Sequence, residues 1–352
     1  MISRLHAKLA ASVSLAAAVF MSGQVLAADQ LTIVAWGGAA QAAQRQAFFE
    51  PFAAKTGTKI TEGEYNGEIA KIRAMVETKN VTWDVVDVIT QTALAGCSEG
   101  IFETIDWSKI GVDRTKLFGG DLQECAVPML IYAVVLAYDT TKLNPAPTKI
   151  TDLFDTKTFP GKRALQKDPA VNLEWALLAD GVPMKDVYKV LATDEGVERA
   201  FKKLDTIKKD VIWWEAGSQG PQLLADGQVI MATSYNGRFY DAVKKDKKPF
   251  KVMWDAQAFD WDWWAIPKGS PNLDAAYKFV NFATQAGPQA DLTKYISYGP
   301  ANKDATPNID PGVLPDLPTA PANMGNVLVL DPQFWADHGE QLRQRFNAWL
   351  AQ

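Results

Sequence analysis

Two aspartates two positions apart, Asp260 and Asp262, an arginine at position 238 and an excess of tryptophan are the side chains of this 352-residue chain best suited to chemistry. Along an extended strand, residues i and i+2 point the same way. The two acids therefore share a face, and Trp261 and Trp263 take the opposite one, where they read as packing. With Arg238 across from it, three residues after Tyr235, Asp262 suits a short zwitterion: guanidinium to carboxylate as a bidentate fork, aspartate to ammonium. Arg238 fits an external or hinge salt bridge equally well, and both readings stand at this point. Carboxyls this close also fit a retaining hydrolase, although no other catalytic signature accompanies them. His6 and His338 are the only histidines, which leaves no supply for a His-rich metal site and only His338 for Ser-His or Cys-His chemistry. Neither a metal nor a cofactor is expected.

Six of the twelve tryptophans (Trp213, Trp214, Trp254, Trp261, Trp263 and Trp264) are clustered, and indole faces attract ammonium groups and also stack on sugars. A net charge of −5 argues against a nucleic-acid partner. Residues 1–27 carry Arg4 and Lys8, an apolar run from Leu9 to Phe20, and small residues up to Ala27. That is the pattern of a signal peptide cleaved after Ala27, its apolar run too short to span a bilayer. In an oxidising compartment, Cys97 and Cys125 read as a disulfide, with two free buried thiols as the alternative.

These residues need elements to hold them. Length favours two domains. Leu31–Trp36 reads as a strand, Gly37-Gly38 as a turn, and the stretch from about Gln41 to Gly57 as a helix. Lys59–Tyr65 and Trp83–Thr90 read as further strands around a helix over Glu68–Glu77. This alternation predicts an α/β fold with a largely parallel sheet and its ligand site at the strand carboxyl ends. Ala133–Tyr138, Gly161–Leu165 and Val229–Tyr235 are also strands, and Asn144–Pro147 reads as a hinge-side connection. Gln219 follows the Trp213-Trp214 strand and is a candidate ligand contact or a loop residue. Residues 301–323, with five prolines, predict an extended connection with no core of its own. A last helix starts at Asp331-Pro332 and carries Trp335, Leu342, Phe346 and Trp349 as a packing stripe.

Several pieces taken in order make the chain resemble the periplasmic solute-binding proteins of ABC importers, and within them the spermidine/putrescine-binding branch. The pieces are the strand ending in Trp36, Trp83-Asp-Val-Val with Thr90, Leu153-Phe154 followed by Pro160-Gly161-Lys162, and Tyr235-Asn236-Gly237. Asp262 through Ile266-Pro267, the helix from Tyr277 to Phe282, and Tyr298 before Asn302 complete the set. The resemblance implies a two-lobe periplasmic binding protein of type II, its discontinuous lobes joined by crossing strands. Lobe 1 would be 28–137 plus about 264–300, and lobe 2 about 138–263 plus 301–352. It also implies a monomer that captures an amine-bearing solute and hands it to an inner-membrane permease, with no enzymatic activity.

Carried over residue by residue, Trp36, Tyr235 and Tyr298 take positions of cleft aromatics, Asp262 that of the acid pairing with a ligand amine, and Asp168 that of a second acid. Gly38, Ala39, Gln91 and Val171 stand where the branch has further acids or aromatics, so several anchors for a long polycation are missing; Gln91 remains a candidate contact. The pairing of Arg238 with Asp262 is similar to a related branch that binds γ-aminobutyrate. A sugar-binding protein of the same fold is the alternative.

Overall fold

The computed structural model describes residues 30–352, so the expected leader lies outside the described residues. Ten strands form one sheet: β1 (Gln30–Ala35), β2 (Lys59–Glu64), β3 (Val85–Ile89), β4 (Ala126–Asp139), β5 (Arg163–Gln166), β6 (Val211–Trp214), β7 (Met231–Tyr235), β8 (Phe250–Ala265), β9 (Gly299–Pro300) and β10 (Val327–Val329). The order is β2-β1-β3-β8-β4-β7-β5-β6, with β10 on β8 and β9 on β4. Parallel triplets occupy both ends: β1 pairs with β2 and β3, and β5 with β6 and β7. Between them β4 and β8 run antiparallel, from Ala126 opposite Ala265 to Asp139 opposite Phe250. The α/β arrangement is thus one sheet whose two parallel triplets are joined by two long antiparallel strands.

These strands join two cores. Val127, Met129 and Trp264 pack with Leu31, Ile33 and Phe279 on one face of the first sheet, and Val34, Trp83, Trp261 and Trp263 fill the other. From Ala133 onward β4 packs into the second core, with Val134, Leu136 and Tyr138 beside Leu165 and Trp175, and Ala133, Val135 and Ala137 beside Trp214 and Phe239. On β8 the change comes between Ala258 and Phe259. The register slips nearby, between Val134 and Leu136, where Ala256 has φ 52° and β10 pairs with residues 257–259. A strand pair that loses register there is a natural place to bend. The connection at Asn144–Pro147 comes after this changeover, at the far end of β4.

Residues 301–323 differ from expectation. They make three 3₁₀ turns, and Ala305, Ile309 and Leu317 form a small core with Ala290. Prolines removed regular hydrogen bonding without removing burial. The disulfide is present: Cys97, near the end of helix Thr90–Ser98, is bonded to Cys125, just before β4.

Candidate functional site

The sheet ends of both cores converge on a cavity of about 330 Å³, lined by Trp36, Gly37, Ala40, Ile89, Tyr132, Tyr235, Arg238, Asp262 and Tyr298. Trp36 is reached because β1 ends at Ala35 and Gly37 (φ 67°) and Gly38 (φ 58°) turn the chain straight into a helix. Its indole packs on Tyr65 with centroids 5.1 Å apart and donates to Asp87 Oδ1 at 3.2 Å. Gly67 (φ 87°) makes this possible, since a Cβ there would lie 2.9 Å from the Trp36 ring.

Asp262 comes from β8, opposite Ile89 of β3 and Leu130 of β4. It is 9 % exposed and accepts no hydrogen bond among the described residues. Burial first, then the nearby Asp87 and Asp260 carboxylates, raise its pKa well above the ordinary value. Burial also pushes Asp87 up to about 7, even though Gln44 and Trp36 donate to its two oxygens. Three acids therefore gather where lining cations are few, and the one facing the cavity has no internal partner.

The opposite wall is the second core. Tyr235 ends β7, and the helix Asn236–Lys244 that follows presents Arg238, an exposed guanidinium with no ion pair among the described residues. Asn236 clamps the helix start: its Oδ1 accepts from Ala133 N–H at 3.0 Å and its Nδ2 donates to the Ser297 carbonyl. Tyr298 enters from the other lobe against Gly237, where a Cβ would sit 2.8 Å from the ring. Tyr132 packs edge-on against Tyr235, centroids 5.7 Å apart, and donates to Asp260 Oδ2 at 3.0 Å.

Of the residues expected from the sequence, Trp36, Tyr235, Arg238, Asp262 and Tyr298 meet in this cavity. Gln91 and Asp168 do not; they line an adjoining chamber of about 150 Å³. Gln219 lines neither, because its Oε1 caps the preceding loop by accepting from the N–H groups of Glu215 and Ala216. Asp260 faces the adjoining chamber and is held by Thr90 Oγ1 at 2.6 Å, Tyr132 and its neighbour's N–H. Tyr132 and Asp87 were missed. The signal for Tyr132 was an aromatic hydroxyl in the middle of a crossing strand that is apolar on both sides of it, Tyr138 and Asp139 lying at the strand's end.

The tryptophan cluster is mostly packing: Trp214, Trp263 and Trp264 are fully buried and Trp213 packs edge-on against Phe346. A larger groove of about 790 Å³ lies elsewhere, lined by Phe52, Lys55, Lys109 and Phe282. Its lysines already have partners: Lys109 pairs with Asp274 and lies over Tyr277, and Lys55 lies over Phe282.

Residues 47–322 match the family model described as bacterial extracellular solute-binding protein. Over 346 residues, covering 98 % of both chains, the sequence is 45 % identical to the gamma-aminobutyric acid-binding protein of Pseudomonas aeruginosa. A solved structure described as a GABA receptor is 35 % identical, with a TM-score of 0.82 over 92 % of this chain and 98 % of the other. A substrate-binding protein of an ABC transporter from Bradyrhizobium japonicum is 36 % identical, with a TM-score of 0.82 over 91 % of this chain and 99 % of the other.

Proposed function

This chain belongs to the bacterial extracellular solute-binding proteins, and we propose that the solute it captures is a short ω-amino acid, γ-aminobutyrate before others. It is the substrate-binding component of an ABC importer and takes a small amine-bearing solute. The observation that carries the narrower reading is a single cavity holding one unpaired buried carboxylate, Asp262, and one unpaired guanidinium, Arg238. Asp262 would take the ammonium, with Trp36, Tyr132 and Tyr298 supplying ring faces, and Arg238 the carboxylate. A diamine would satisfy Asp262 but set its second ammonium against Arg238. A sugar would leave both charges unmatched. A purely binding role is supported by the fully hydrogen-bonded state of Asp260, which removes it as a free partner in a carboxylate pair.

Capture would proceed by bending at the slipped register of β4 and β8, closing the lobes and expelling water, which strengthens both ion pairs. The changeover of the cores at Ala133 and Phe259 supports a lobe boundary close to the one expected at 137/138 and 263/264. A periplasmic location, a monomeric state and delivery to an inner-membrane permease complete the proposal. Support for the location comes from the family's extracellular character and the sequence pattern of the leader.

Arg238→Ala tests the ligand assignment by isothermal titration. γ-Aminobutyrate should bind about 30- to 100-fold more weakly, as expected for loss of a charge-assisted fork. Putrescine should be unaffected or bind more tightly. Tighter binding of putrescine than of γ-aminobutyrate by the unmodified protein would sink the ω-amino acid reading.

A further inference from the structure

The chamber of about 150 Å³ beside the site shares Ile89, Tyr132 and Tyr235 with the amine cavity, so these three residues form a wall common to both. Two carboxylates face it, Asp168 and Asp260, and the only cation among its lining residues is Arg343, from the last helix. Arg343 Nε donates to Asp168 Oδ2 at 3.3 Å, while Asp168 Oδ1 accepts from Ala170 N–H at 2.9 Å.

The helix Pro332–Leu350 is shaped to deliver this arginine. Trp335, Gly339 and Arg343 are spaced four apart and share a face. The glycine leaves room for the guanidinium, since a Cβ on it would lie 3.1 Å from Arg343 Nη1. Trp335 fixes the helix on both sides of the chamber. Its indole donates to the buried Glu174 Oε1 at 2.9 Å, and its carbonyl accepts from Gln91 of the opposite lobe at 3.5 Å. The tryptophan expected only to pack is thus also part of the chamber wall.

We propose that Arg343 determines specificity by ligand length: it occupies the cation position of the second chamber, so the cleft takes one short amine and refuses a longer ligand that would place a second ammonium beside Asp168. The inference rests on the reading of the adjoining cavity as an amine site. Without Arg343 the chamber would present two carboxylates and no lining cation, a setting that favours a protonated amine. Its hydrogen-bonded Asp260 and the freed Asp168 would then flank that amine.

The test is isothermal titration of the unmodified chain, Arg343→Gln, and the double variant Asp168→Asn with Arg343→Gln, against γ-aminobutyrate and spermidine. Arg343→Gln should bind spermidine at least tenfold more tightly than the unmodified chain, with γ-aminobutyrate affinity within threefold. The double variant should lose the spermidine gain. An unchanged spermidine affinity in Arg343→Gln, or a gain that survives in the double variant, overturns the proposal. The two readings fail separately: a chain that ignores γ-aminobutyrate yet gains spermidine binding through Arg343→Gln loses the ω-amino acid assignment and keeps this one.

Discussion

Asp262 is a carboxylate kept without an internal partner, beside two other buried acids, and its environment raises its pKa well above the ordinary range. Asp262→Asn should therefore abolish amine binding while leaving the free protein as stable or more stable. At pH values high enough to ionise Asp262, the amide removes a buried charge and its repulsion from Asp87, so a rise in melting temperature of about 2 °C per kcal/mol gained is expected there. A lower melting temperature with retained binding would remove Asp262 from the site. The same acids predict pH behaviour. An acid whose pKa rises on folding holds its proton more tightly folded than unfolded. With Asp87 lifted from 3.8 to about 7, the free protein should lose stability as pH rises through that window. Ligand binding should run the other way, because an ammonium needs Asp262 ionised: affinity falls as the solution is acidified, and binding releases protons wherever the raised pKa of Asp262 leaves it protonated in the free protein. Titrations in two buffers of different ionisation enthalpy read that release directly. At this scale the sequence was informative wherever a residue's type allowed few roles. Asp262 and Trp36 were expected in the cleft from the resemblance, whereas Arg238 stayed open between cleft and salt bridge until the cavity lining put it beside them. Gln219 was not legible, because an amide serves equally well as a ligand contact and as a loop cap, and only the positions of Glu215 and Ala216 decide.

The strand-to-helix junctions position the site, and Asn236 is the joint most exposed to test. It ties the helix carrying Arg238 to β4 through Ala133 and to the Tyr298 loop through Ser297. Asn236→Ala leaves a buried N–H and a buried carbonyl without partners and should cost about 2–4 kcal/mol, measured by urea unfolding. Ligand affinity should fall as well, since Arg238 and Tyr298 lose their shared support. The short strands β1, β3 and β7 were legible from their apolar runs and bounding turns, and β2 and β5 were expected although they carry few apolar residues. The lengths of β4 and β8 were not legible. A strand buried on both faces has no alternation to mark its ends. Nothing local tells Ala126–Asp139 that its partner is Phe250–Ala265, more than a hundred residues away.

At the scale of the molecule, two cores are joined by two strands and closed on one side by the last helix. The Cys97–Cys125 bond lies wholly in the first core, linking the helix that begins at Thr90 to the strand that crosses to the second. Replacing both cysteines with serine should lower unfolding free energy by about 3.5 kcal/mol through the loop it closes. The variant should still bind ligand at low temperature, because neither cysteine lines the cavity; lost binding in a folded variant would show that the bond also shapes the site. The sequence by itself determined the class of fold, a cysteine pair available for a disulfide, and charged and aromatic residue types suited to an amine-bearing solute, because strand periodicity, cysteine count and charge are local or compositional facts. Only the tertiary structure decided that Asp262 and Arg238 share one cavity, that Asp168 and Gln91 belong to the next one, and that Arg343 already neutralises Asp168. Those assignments depend on which face of β8 meets which helix of the other lobe, and that is set by packing between segments far apart in the chain.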